Sequence, residues 1–134
     1  MPPAEYASIQ QFYARQMRLL DEGDGDAWAD TFTEDGAFGQ SSFTEPVRGR
    51  AAIAAAVRER PAAPVGTVRR HWLGLPAAWR FPDGSVRTGY DALVVSTAKG
   101  AAPVIRLSTS CQDVLVADGD SWLVSHRYVG HDGQ

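Results

Sequence analysis

Two side chains in the second half of this sequence are of types that move protons. His71 lies in a strand-like run from Val68 to Phe81, and Asp91 in a second run from Ser85 to Thr97. The turn residues Pro82-Asp83-Gly84 join the two runs as a hairpin, so the strands are expected to be neighbours. If both side chains face one side, imidazole and carboxylate come within hydrogen-bond reach, and the carboxylate fixes the imidazole tautomer. In one arrangement His71 is the base. It takes a proton beside a carbonyl, or returns one to a leaving hydroxyl, a role worth roughly 10²–10⁴-fold. In the other, Asp91 is the base and His71 polarises a carbonyl oxygen. The residues alone leave both open. An aspartate in a strand needs solvent or a partner, because strands disfavour it and an unpaired buried charge is costly.

Further candidates surround this pair. Ile9, Phe12, Tyr13, Gln16, Met17 and Leu20 fall at helical spacing and form one stripe of a helix over 5–20. Tyr13 and Met17 on that stripe are either core or pocket wall, with the Tyr13 hydroxyl available to a substrate oxygen. Phe38 and Gln40 alternate properly on a first strand over 37–43, so both can face inward. Asp113 and Arg127 form an expected cross-strand ion pair. His126 alternates with Arg127 and is a second histidine for the pocket, whereas His131 is assigned to the tail with no role.

Other chemistry finds no support. The three histidines, His71, His126 and His131, include no i, i+4 pair, so no zinc site is expected. The acidic stretch Asp21–Asp26 lacks the ligand order and closing glutamate of a calcium loop and reads as the turn that ends the first helix. The single cysteine, Cys111, sits in an apolar strand-like run and reads as a small buried hydrophobe. No phosphate-binding glycine loop or serine elbow occurs, and no cofactor is expected.

The elements that must position these residues are legible in outline. After the first helix, Asp24 or Asp26 caps a short second helix through Trp28 and Phe32, and Glu34-Asp35-Gly36 reads as a turn. Gly49–Arg60 is an alanine-rich helix ended by Pro61. Then come four strand-like runs, Val68–Phe81, Ser85–Thr97, Pro103–Ala117 and Ser121–Gly130, with a bend expected at Pro76. Hairpin connections predict an antiparallel sheet. Helices first and sheet second is an α+β layout, with three helices covering a concave face and a pocket between them.

The 134 residues fit one domain spanning 1–134. Thirteen basic and 16 acidic residues give a net charge of −3, which argues against nucleic-acid binding. No apolar run approaches membrane-spanning length, and Met1-Pro2-Pro3-Ala4-Glu5 lacks the basic start of a secretory signal, so the expected location is the cytoplasm.

The run from Gly25-Asp26-Ala27-Trp28 through Glu34-Asp35-Gly36-Ala37-Phe38, then Gly49-Arg50-Ala51-Ala52-Ile53, resembles the SnoaL-like polyketide cyclase group. The ending Asp113-Val114-Leu115-Val116, Asp118-Gly119, Trp122 and Arg127-Tyr128-Val129 matches as well. That group belongs to the nuclear transport factor 2-like superfamily, which implies a cone-shaped fold around one small-molecule pocket. A narrower resemblance, to the scytalone dehydratases, covers Arg70-His71-Trp72-Leu73-Gly74 and Thr88-Gly89-Tyr90-Asp91-Ala92-Leu93. It implies that His71 is a catalytic histidine and that Asp91 replaces a second one. It also implies that Ser108 and Ser110 bind substrate, with Gln16, Met17 and Gln40 at positions where those enzymes carry acid and tyrosine groups. The resemblance implies a cofactor-independent cyclase, dehydratase or isomerase of secondary metabolism, or an accessory binding protein. It also implies a homodimer through the convex face that Trp72 shares.

Overall fold

A computed structural model describes residues 1–134. Helix α1 spans Pro3–Asp21, α2 Gly25–Ala29 and α3 Arg50–Arg58. The strands are β1 Phe32–Gln40, β2 Val47–Arg48, β3 Thr67–Leu73, β4 Ala77–Arg80, β5 Val86–Ala98, β6 Val104–Asp118 and β7 Ser121–His131. Pro3 opens α1, where a missing N–H costs nothing. Asp24 caps α2 by accepting from the Ala27 amide at 3.1 Å.

The strands form one curved, unclosed sheet in the order β2-β1-β7-β6-β5-β3, with β4 pairing β5 beyond the end of β3. The β3–β7 portion is antiparallel, as the hairpin turns require. The expectation of a wholly antiparallel sheet is corrected by β1, which pairs with β7 in parallel. No hairpin links these two strands, so turn chemistry does not set their direction. The expected turn at Glu34–Gly36 is also corrected. These residues lie inside β1, where a register irregularity between Phe32 and Ala37 takes up the slack. The bend at Pro76 is real. It separates β3 from β4, and Tyr6 of α1 donates to the Pro76 carbonyl at 2.6 Å.

The core lies between α1, the two shorter helices and the concave face. Ile9, Phe12, Trp28, Phe32, Leu115 and Val124 are all buried there. Burying a side chain of this size contributes about 1.5–3 kcal/mol. The covering helices leave the inner part of the sheet hollow. No helix is long and apolar enough to cross a membrane.

Candidate functional site

A cavity of about 520 Å³ opens between α1, α3 and the concave face. Fifteen of its 22 lining residues are hydrophobic, among them Met17, Trp28, Phe38, Tyr90, Val94 and Leu107. That is the usual character of a small-molecule pocket. A larger groove of about 740 Å³ runs outside it between α1 and β3, with polar and apolar side chains in equal number. The more apolar cavity is the better ligand site despite its smaller volume. Met17 and His71 belong to both.

His71 stands on the concave side of β3, opposite Val94 of β5. Its carboxylate partner is Asp21, the last residue of α1: His71 Nδ1 lies 2.6 Å from Asp21 Oδ1. The His71 backbone amide donates to both Asp21 oxygens at 3.1 Å. With Asp21 as acceptor, the neutral imidazole carries its proton on Nδ1 and keeps its lone pair on Nε2, which has no protein partner. Both side chains keep a little under a fifth of their surface exposed, at 18% and 17%. Water and ligand therefore reach the pair.

The expected His71–Asp91 pair does not form. Asp91 is exposed on the convex face, opposite Ser110, and only its backbone carbonyl reaches β3, through the Gly74 amide. Ser108 and Ser110 are on that face too, and Ser108 donates to Asp132 at 2.6 Å. So is His126, which is exposed and lies 3.1 Å from the Ser125 hydroxyl. One cause explains all four corrections. A strand shows alternate residues to alternate faces, so a one-residue error moves a whole set. The inward set is Tyr90, Ala92 and Val94 on β5, Leu107, Thr109 and Cys111 on β6, and Arg127, Val129 and His131 on β7.

Met17, Phe38 and Gln40 line the cavity. Tyr13 and Gln16 do not. The Tyr13 hydroxyl donates to Asp113 Oδ2 at 2.7 Å and lies 2.6 Å from Thr88 Oγ1. Gln16 is fully buried, accepting from Arg127 at 2.7 Å and donating to Thr31 at 2.7 Å. Both are committed to the core, so their expected substrate-binding role is corrected. The hub of this network is the Asp113–Arg127 pair read from the sequence. Arg127 Nε donates to Oδ1 at 2.9 Å and Nη2 to Oδ2 at 2.8 Å. Burial alone would lower the Arg127 pKa, but Asp113 holds the cation above its ordinary range. Arg127 Nη1 has no hydrogen-bond partner, and the residue borders the cavity. Cys111 is buried as expected, and burial pushes its thiol up, which suits a wall and not a nucleophile.

Sequence reasoning missed Asp21, Arg60 and His131. Asp21 was assigned to a turn and His131 to the tail, yet β7 extends through His131 and its side chain lines the cavity. The charge on odd-numbered Arg87 and Asp91 was the available signal that the odd side of β5 faces out.

Comparison with known proteins agrees with this architecture. Residues 4–128 match the model of the SnoaL-like domain. The chain belongs to the SnoaL-like family. ActVI-ORFA from Streptomyces coelicolor superposes with a TM-score of 0.90 at 34% identity, over 96% of this chain and 98% of that one. A Catenulispora acidiphila protein solved in complex with S-DNPA gives 0.83 at 35%, over 98% and 96%. Aln2 from a Streptomyces species gives 0.87 at 28%, over 98% and 94%. A nuclear transport factor 2-like protein with a cystatin-like fold from Novosphingobium aromaticivorans shares the fold at 22% identity, with a TM-score of 0.76. Among curated protein sequences none matches. Membership in the SnoaL-like family supports a cyclase-type role in secondary metabolism in general terms.

Proposed function

We propose that this SnoaL-like chain is a cofactor-independent acid–base enzyme that cyclises, dehydrates or isomerises an apolar, oxygenated small molecule of the polyketide or terpenoid kind. The observation that carries the reading is the 2.6 Å contact between His71 Nδ1 and Asp21 Oδ1 at the wall of the cavity. Asp21 orients the imidazole, and Nε2 takes a proton from a carbon beside a substrate carbonyl. In the cyclisation, the enolate carbon attacks a second carbonyl of the same molecule and forms the ring bond. The Nε2 proton then returns to the new alkoxide. Only a proton moves between protein and substrate, so the step balances without a redox partner. Met17, Phe38 and Gln40 position the ligand.

Kemp elimination of 5-nitrobenzisoxazole tests the base directly, since the apolar probe reports proton abstraction by absorbance. Saturable turnover is expected, falling about 100-fold or more in His71→Ala. Unchanged turnover in that variant removes His71 from the chemistry.

A binding protein is the second reading, favoured by one observation. Both Asp21 oxygens also accept from the His71 backbone amide, so Asp21 serves equally as a clamp of α1 onto β3. Ligand binding without turnover, kept in His71→Ala, would favour it.

We further propose a homodimer through the convex face. Trp72, Trp79, Ile105 and Tyr128 are 47–62% exposed there, large apolar side chains gathered on one face. Sedimentation should give a dimer that Trp72→Arg weakens, and a monomer in the unaltered chain would refute it.

A further inference from the structure

Arg60, two residues beyond α3, borders the apolar cavity at its rim. Its guanidinium makes no hydrogen bond and no ion pair within the protein, in contrast to Arg58, which holds Asp26, and Arg127, which holds Asp113. Glu59 lines the same rim without pairing with it. Arg69 of β3 lies close enough to repel it, while Asp21, the partner of His71, attracts it. Loss of water, and then Arg69, pull the Arg60 cation below its usual range, although an arginine stays protonated at neutral pH. Arg60 is exposed, so its guanidinium, free of any protein partner, stands open to solvent and to a ligand at the edge of the apolar cavity. Five N–H donors in a planar fork suit a carboxylate bound through both oxygens.

We propose that the molecule held in this cavity carries a carboxylate, which Arg60 binds at the rim beside His71 while the apolar body fills the interior. The proposal rests on the cavity being the ligand site. It adds that the ligand enters with its acidic end outward, which fixes the part of the molecule presented to Nε2. Arg69 supplies further positive potential, and the binding weakens with added salt because the rim is open to solvent.

The test compares 2-naphthylacetic acid with 2-naphthylacetamide by calorimetry at pH 7.5. The two have the same apolar body, and only the acid is charged. The unaltered chain is expected to bind the acid about tenfold more tightly than the amide. Arg60→Gln should bring the two within about twofold while leaving the amide affinity unchanged. A preference that survives in Arg60→Gln overturns the assignment to Arg60. Equal binding of acid and amide by the unaltered chain overturns the carboxylate while leaving the cavity as a ligand site. Failure of both probes to bind overturns the carboxylate and the cavity together.

Discussion

Two carboxylates in this molecule, each paired with a nitrogen-bearing side chain, are used in opposite ways. Asp113 and Arg127 are buried, with side-chain exposures of 0% and 3%, and of their polar atoms only Arg127 Nη1 is left without a partner. Asp113 accepts from Tyr13, Tyr90 and Arg127, so both of its oxygens are occupied. His71 stands at the cavity wall with Asp21 behind it in the outer groove, and His71 keeps one nitrogen free. A buried charge must be saturated by its neighbours, because an unmet one costs several kcal/mol. A reactive group must instead keep one valence unmet and reachable. The first pair organises the interior, and the second is the candidate for chemistry.

The largest expected effect separates the pairs by stability. Asp113→Ala strands the Arg127 charge and should cost about 3–5 kcal/mol in urea unfolding. His71→Ala should cost far less stability, yet reduce base-catalysed turnover about 100-fold, or roughly 2.7 kcal/mol in the barrier. If Asp113→Ala left stability unchanged, the contrast would collapse.

Alkaline titration sharpens the comparison from the buried side. Burial raises both Tyr13 and Tyr90, and the nearby Asp113 adds to it. In the unfolded chain these tyrosines ionise near pH 10. Above that pH the unfolded state loses protons that the folded state keeps, so stability falls as pH rises. The slope should be about 1.4 kcal/mol per pH unit for each tyrosine. It should fall by about a third to a half in Tyr13→Phe, the remainder coming from Tyr90 and from the Cys111 thiol that burial also holds protonated, measured by urea unfolding between about pH 10.5 and 11.5. A slope equal to that of the unaltered chain would remove Tyr13 from the buried network. The smallest effect belongs to Asp91→Asn. That exposed side chain should change stability by no more than about 0.5 kcal/mol and turnover not at all. A large loss of turnover there would return Asp91 to the site.

Most of the architecture was legible one element at a time. The α1 stripe, an aspartate cap before α2, the Pro76 break and the hairpin turns each follow from local propensity and periodicity, and the structure chooses Asp24 over Asp26 as the cap. The Asp113–Arg127 pair was legible because two complementary charges fell within otherwise apolar strands. The face of each strand was harder to read. The paired β6 and β7 carry a register irregularity at Val114–Leu115, so alternation counted from one end of a strand does not carry to the other. His126 faces out while Arg127, beside it, faces in.

By itself, the sequence determined the α+β class and the family, and its resemblance to known enzymes pointed to His71, since periodicity and motif are properties of the chain. Tertiary structure decided the partner of His71. Asp21 and His71 are fifty positions apart, and only the packing of the end of α1 against β3 brings their side chains within 2.6 Å. No local pattern encodes a contact between elements that meet only when the sheet curves and the helix closes over it.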